Sequence, residues 1–66
     1  MNLQSMDYFV ALAEERSFTR AAERIGITQQ TLSAHVANVE RELGVKLVRR
    51  SVPIALTASG EKFLGY

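Results

Sequence analysis

Hydrophobic residues recur at helical spacing through the first two-thirds of the chain and alternate with polar ones after it. Leu3, Met6, Phe9, Val10 and Ala13 follow i, i+3, i+4, i+7 steps, which predicts an amphipathic helix from Leu3 to about Arg16. Tyr8 and Leu12 widen the stripe, as for a helix packed on more than one neighbour. Asn2 is placed to cap the first turn, its side-chain oxygen accepting from a backbone N–H. Ser17 interrupts the pattern and caps a second, shorter helix with Phe18, Ala21, Ala22 and Ile25 on its apolar face. Gly26 closes that helix in a position that favours positive φ, where a Cβ would clash.

Ile27 alone separates Gly26 from Thr28, an N-cap for a third helix. Leu32, Val36, Val39 and Leu43 form its buried stripe, and Gly44 ends it. The period then changes to extended. Val45, Leu47 and Arg49 alternate with Lys46, Val48 and Arg50, predicting a strand; Ser51-Val52-Pro53 reads as a hairpin turn and Ile54-Ala55-Leu56 as the returning strand. Thr57 caps a last helix that begins near Ala58 and carries Phe63, Leu64 and Tyr66. The fold class is mainly α, a three-helix core with a short β-hairpin and the start of a fourth helix.

Sixty-six residues make one small domain or a piece of a longer chain. With 47% hydrophobic and 23% charged residues the composition is globular, which excludes a disordered tail. A domain this small buries only about 60% of its unfolded surface, so its core gains from a partner or from the remainder of a larger polypeptide. Net charge is +1, unevenly spread. Three arginines face four acids up to Ser33, and five basic residues face three acids after it; Lys46, Arg49 and Arg50 cluster within that second half.

The chain contains no cysteine, which excludes disulfides and thiolate metal sites. Its single histidine, His35, lies beside the buried stripe of the third helix and reads first as a boundary residue. A Ser–His–acid set would need an oxyanion site and a pocket that short helices leave no room for. No catalytic residue, metal or cofactor is expected. No run approaches 18 apolar residues, and Met1–Asp7 lacks the basic and apolar regions of a signal peptide, so a cytoplasmic chain without a membrane partner is expected.

Two helices joined by a short glycine-containing turn make a helix-turn-helix unit. Ala21 and Ala22 are small enough for a close helix crossing, and Ile25, Ile27 and Leu32 supply apolar contacts around Gly26. The exposed start of the third helix, Thr28-Gln29-Gln30-Thr31, is uncharged and rich in amides and hydroxyls. Glutamine pairs bidentately with adenine in the major groove, and hydroxyls bond bases or phosphates. Arg49, Arg50 and Ser51 lie where a β-hairpin wing would touch the phosphate backbone or minor groove. A protein-interaction module without a nucleic-acid role is the competing reading, but it would show aromatic or leucine anchors at the start of the third helix instead.

Tyr8–Glu15, Ser17–Ala22, Leu32-Ser33, Glu42–Val45 with Leu47, and Leu56-Thr57 with Gly60 resemble the N-terminal domain of LysR-type transcriptional regulators. The likeness runs without a gap over the whole chain. It implies a winged helix-turn-helix over residues 1–57 and, in 58–66, the start of a linker helix that pairs two subunits through Phe63, Leu64 and Tyr66. It further implies double-stranded DNA with a dyad-symmetric operator as partner, a homodimer or higher oligomer, and a small-molecule effector bound by a domain outside these residues.

This sequence departs from the family at several places: Gln30 stands where proline is frequent, Ala34 where an arginine often reaches bases, Val48 where phenylalanine is usual, Pro53 at an arginine position of the wing, and Ser59 where alanine is common. Base reading therefore falls to Gln29, Gln30, Thr31, Ser33, Ala34 and His35, and backbone contact to Ser17, Thr19, Arg20, Thr28, Arg49, Arg50, Ser51 and Pro53, with Gly26 as the structural turn.

Overall fold

A computed structural model describes residues 3–65. The chain runs α1 (Leu3–Glu15), α2 (Phe18–Ile25), α3 (Gln29–Leu43), β1 (Val48–Arg49), β2 (Ala55–Leu56) and α4 (Ala58–Leu64). Asn2 and Tyr66 lie outside the described residues. Three helices begin at extended cap residues whose hydroxyls accept a first-turn amide: Ser17 from Arg20 at 3.2 Å, Thr28 from Thr31 at 3.1 Å and Thr57 from Gly60 at 3.0 Å. Each such cap stabilises its helix by about 1 kcal/mol. α1 stops at Glu15, one residue before the expected end, because Arg16 itself takes a left-handed conformation with φ 55°.

The core lies where α1 packs on α2, α3 and α4, around Phe9, Leu12, Leu32, Val36 and Leu47. Full burial of each large apolar side chain contributes about 1.5–3 kcal/mol. The inward face of α1 is Ser5, Tyr8, Phe9, Ala11 and Leu12, so Phe9 and the flanking Tyr8 and Leu12 of the expected stripe turn inward while the rest of it does not. Leu3 is 84% exposed, and Met6, Val10 and Ala13 flank the core rather than fill it. The reason is Ser5, small and hydroxyl-bearing, which lets α3 approach and meets His35 across the helix crossing. An apolar count passes over a polar residue of that kind.

α3 differs in the same way. Leu43, expected in its stripe, is exposed, because the last turn has run past the core before the chain reverses at Gly44, φ 72°. Glu40 is buried in its place. Its Oε2 accepts from the amides of Leu47 at 2.8 Å and Val48 at 3.3 Å.

The hairpin is shorter than its alternation predicts. Only Val48–Arg49 and Ala55–Leu56 pair, antiparallel, with Val48 opposite Leu56 and Arg49 opposite Ala55. Leu47 and Val48 are both buried and Val45 is exposed, so the inside-outside alternation expected from Val45 to Arg50 is absent. Backbone groups that would have extended the ladder are used elsewhere: Leu47 O accepts from Thr57 N at 3.0 Å, and Ile54 N donates to Arg16 O at 3.2 Å. α4 closes the layer, Phe63 standing edge-to-face on Phe9 with ring centroids 5.2 Å apart. Phe63 and Leu64, both half-buried, thus pack on the core of their own chain.

Candidate nucleic-acid interface

Local chemistry sets the angle between α2 and α3. Gly26 has φ 88°, and its N–H donates to Ala22 O at 2.8 Å, while Ile27 N reaches the same carbonyl at 3.0 Å. Ala21 and Ala22 are buried, and a larger side chain on either would push the helices apart. Thr28 then opens α3, its hydroxyl also donating to Thr31 Oγ1 at 2.8 Å. The turn leaves Gln29, Gln30 and Ala34 exposed on the outer face of α3.

Gln29, Gln30, Ser33, Ala34 and Ala37 line one shallow depression on that face. Gln29 is oriented by Thr19, whose hydroxyl donates to Gln29 Oε1 at 3.0 Å across the α2–α3 corner. Ala34 contributes only a methyl group. Thr31 is exposed but held by the Thr28 cap. His35 does not join the group. Its Nε2 lies 2.8 Å from Ser5 Oγ and its ring stands edge-to-face on Tyr8, centroids 4.8 Å apart, so it is directed into the α1–α3 contact. Ala34 before it is exposed and Val36 after it is buried, so His35 stands at the boundary between the outer face and the core.

A cleft of about 270 Å³ separates the start of α2 from the hairpin, with Arg16, Ser17, Thr19, Gln29, Arg50 and Pro53 among its walls. Arg20 and Arg49 are exposed beside it. Ser51 Oγ donates to Pro53 O at 2.9 Å and tightens the turn, leaving Val52 fully exposed at the tip. Arg50 departs from expectation. Instead of extending from the wing it folds back onto α3, Nη1 on Ser33 Oγ at 2.6 Å and Nη2 on Ser33 O at 3.3 Å, with its guanidinium 4.7 Å from the centre of the Phe18 ring.

Two contacts of this surface escape sequence reading. Arg16 looks like the last turn of a helix; its guanidinium instead donates to Ile54 O at 3.4 Å, a partner 38 positions away. Phe18 packs against the core as its spacing predicts, and its ring is also the platform beneath Arg50. On the far side Arg24 bonds Glu14 at 2.7 Å and Glu15 at 3.3 Å, and the hydrogen bond to Glu14 holds its pKa above the ordinary arginine value. Among the described residues no group of three or more His, Cys, Asp or Glu is gathered to hold a metal ion, and no helix is long and apolar enough to cross a membrane.

The family model of bacterial regulatory helix-turn-helix proteins, lysR family, matches residues 3–61. The transcriptional regulator BudR of Raoultella terrigena is 48% identical over 64 residues, 96% of this chain and 22% of BudR. BenM of Acinetobacter baylyi is 45% identical over 67 aligned positions, all of this chain and 22% of BenM. That alignment is one position longer than the chain, so it includes a gap. The chain spans about a fifth of the length of these relatives. Among solved structures, the BenM DNA-binding domain in complex with benA site 1 DNA superposes with a TM-score of 0.94 at 45% identity, covering 100% of this chain and 75% of that one. The CbnR DNA-binding domain–DNA complex gives 0.91 at 36% identity, over 98% and 76%. With the helix-turn-helix, the hairpin and the first turn of the fourth helix within the matched span, this chain belongs to the LysR family of bacterial regulatory helix-turn-helix proteins.

Proposed function

We propose that this chain binds double-stranded DNA sequence-specifically, as the N-terminal domain of a LysR-type transcriptional regulator, and that it has no enzymatic role. The observation that carries the reading is the outer face of α3, where two exposed glutamines and a half-buried serine line one depression beside the methyl of Ala34. Such a face offers amide and hydroxyl groups to base edges in the major groove and an alanine methyl to thymine. The likeness to two DNA-binding domains solved with DNA supports it.

In this reading Gln29, Gln30 and Ser33 read bases, with Thr31 at the margin. Ser17, Thr19, Arg20 and Thr28 meet phosphates at the starts of α2 and α3, and Arg49, Ser51 and Pro53 approach the backbone from the wing. Phosphate contacts fix register while base contacts specify. Residues 1–57 form the DNA-binding unit and 58–66 begin the linker helix. The full-length regulator is cytoplasmic and dimeric or larger, presents two recognition helices to a dyad-symmetric operator, and senses a small molecule through a further domain. The interaction-module reading is disfavoured because the start of α3 carries no aromatic or leucine anchor.

Selection from random duplexes provides the test. A recovered consensus, with Gln29→Ala and Gln30→Ala each relaxing the preference at one position, is expected. Recovery of no consensus, or variants that bind every duplex as the parent does, would overturn the proposal.

A further inference from the structure

The stretch from Gln29 to Glu40 contains no lysine or arginine. The cation that does reach the outer face of α3 comes from the hairpin, 17 residues along the chain from Ser33: Arg50, with both terminal nitrogens on that one serine. A guanidinium has five donors and no acceptor, so in the 2.6 Å contact the Ser33 hydroxyl oxygen must be accepting. A hydroxyl has one proton to give. With one of its two oxygen lone pairs taken by Arg50, the hydroxyl turns its proton away from the guanidinium and keeps that proton and one lone pair for a further partner. The Phe18 ring beneath the guanidinium, 4.7 Å from its carbon, fixes the plane from which the fork reaches both Ser33 atoms.

We infer that Arg50 is a positioning residue for base reading: it holds the Ser33 hydroxyl in one orientation on the α3 face and ties the wing to the recognition helix. The inference rests on the proposed DNA-binding role. A Ser33 hydroxyl held this way presents one donor and one remaining lone pair at a fixed place on the α3 face, and so acts at one base pair of the major groove. Arg50 acts through Ser33, whereas a wing arginine in contact with phosphate would act on all sequences alike.

The experiment compares the parent with Ser33→Ala, Arg50→Ala, the double variant, Arg50→Lys and Arg50→Met. Affinity is measured on the selected duplex and on single-base-pair variants of it, across a salt series, and folding is followed by thermal melting. Arg50→Met keeps an apolar stem over Phe18 without the donors. Expected is a loss of discrimination of roughly 2- to 10-fold at the same base pair for Ser33→Ala and for each Arg50 variant. The double variant should be no worse there than Ser33→Ala alone. The salt slope should equal that of the parent, and Arg50→Lys should not restore reading, since an ammonium lacks the fork.

A uniform loss across duplexes with a slope lower by about one, rescued by lysine, would make Arg50 a phosphate contact and overturn the inference. So would additive effects of the two single variants, or melting of every Arg50 variant below the assay temperature, which would make the residue one of general stability. A parent without sequence preference would instead sink the proposed function itself; a discriminating parent whose Arg50 variants discriminate equally would sink only the inference.

Discussion

Glu40 and Leu47 are joined by a hydrogen bond in the interior, the carboxyl Oε2 of one 2.8 Å from the amide nitrogen of the other, with the amide of Val48 sharing the same oxygen. Only 5% of Glu40 is exposed. It takes the place of a backbone partner for the segment that leads from α3 into the wing, and so fixes where the hairpin starts relative to the recognition helix.

Glu40→Ala is therefore expected to lower stability by about 2–4 kcal/mol, since it strands two amide donors away from water. Glu40→Gln keeps one acceptor and should lose less. Urea denaturation of both variants gives the comparison; an alanine variant as stable as the parent would show that water or another acceptor serves those amides.

The two conformational roles of glycine here separate cleanly. A Cβ on Gly60 would lie 2.0 Å from Leu47 O, whereas one on Gly26 would meet nothing within 4 Å but would sit at φ 88°. Gly60→Ala must push α4 from the hairpin, at about 1–3 kcal/mol. Gly26→Ala suffers only the left-handed strain of about 1–2 kcal/mol, and Gly26→Asn should recover part of it because asparagine tolerates that region. Gly60→Asn should recover none. Thermal melting of the four variants tests the contrast, and recovery at Gly60 would contradict the packing argument.

Thr19 is expected to work through Gln29. Its hydroxyl holds Gln29 Oε1 at 3.0 Å, which leaves the amide NH₂ to donate and the second lone pair of the oxygen to accept, the combination that adenine needs. Thr19→Val keeps the shape and removes the donor. It should relax preference at the base pair that Gln29→Ala relaxes, by a smaller factor of roughly 2- to 10-fold, in competition binding on duplex variants. Equal weakening on every duplex would make Thr19 a plain backbone contact.

What the sequence reveals here is mostly what is local. Ser17, Thr28, Thr57, Gly26 and Gly44 act on groups within about one turn of themselves, so the limits of α2 and α3 can be read from neighbouring residues. The helical face that turns inward is less legible. Leu3 and Leu43 satisfy the periodicity yet end up exposed, because the partners of α1 and α3 meet a face that includes Ser5 and Glu40. Glu40 lies four residues after Val36 on the buried line, which is the one sequence signal that marks it. The site divides along the same line. The outward amides follow from the cap and turn, but the grip of Arg50 on Ser33 depends on how the hairpin docks, and no window along the chain contains both ends of it.

His35 provides the sharpest separation of the base-reading group. On α3 it follows Ala34, but it is turned toward α1, where Ser5, 30 positions earlier, lies 2.8 Å from its Nε2 and Tyr8 supports its ring. An edge-to-face ring contact stabilises by about 0.5–1.5 kcal/mol and a buried hydrogen bond by a similar amount. His35→Ala is therefore expected to cost about 1–3 kcal/mol of folding stability while leaving discrimination among duplexes as it is in the parent. Gln30→Ala should do the reverse, since Gln30 is exposed on the outer face and no part of the core rests on it. Ser5→Ala separates the two contributions further: it removes the hydroxyl but keeps the Tyr8 contact, and should cost less than His35→Ala. Denaturation midpoints measured beside a panel of single-base-pair duplex variants decide the matter. If His35→Ala unfolds no more easily than the parent but loses preference at a particular base pair, the ring leaves Ser5 when DNA binds, and His35 returns to the residues that read sequence.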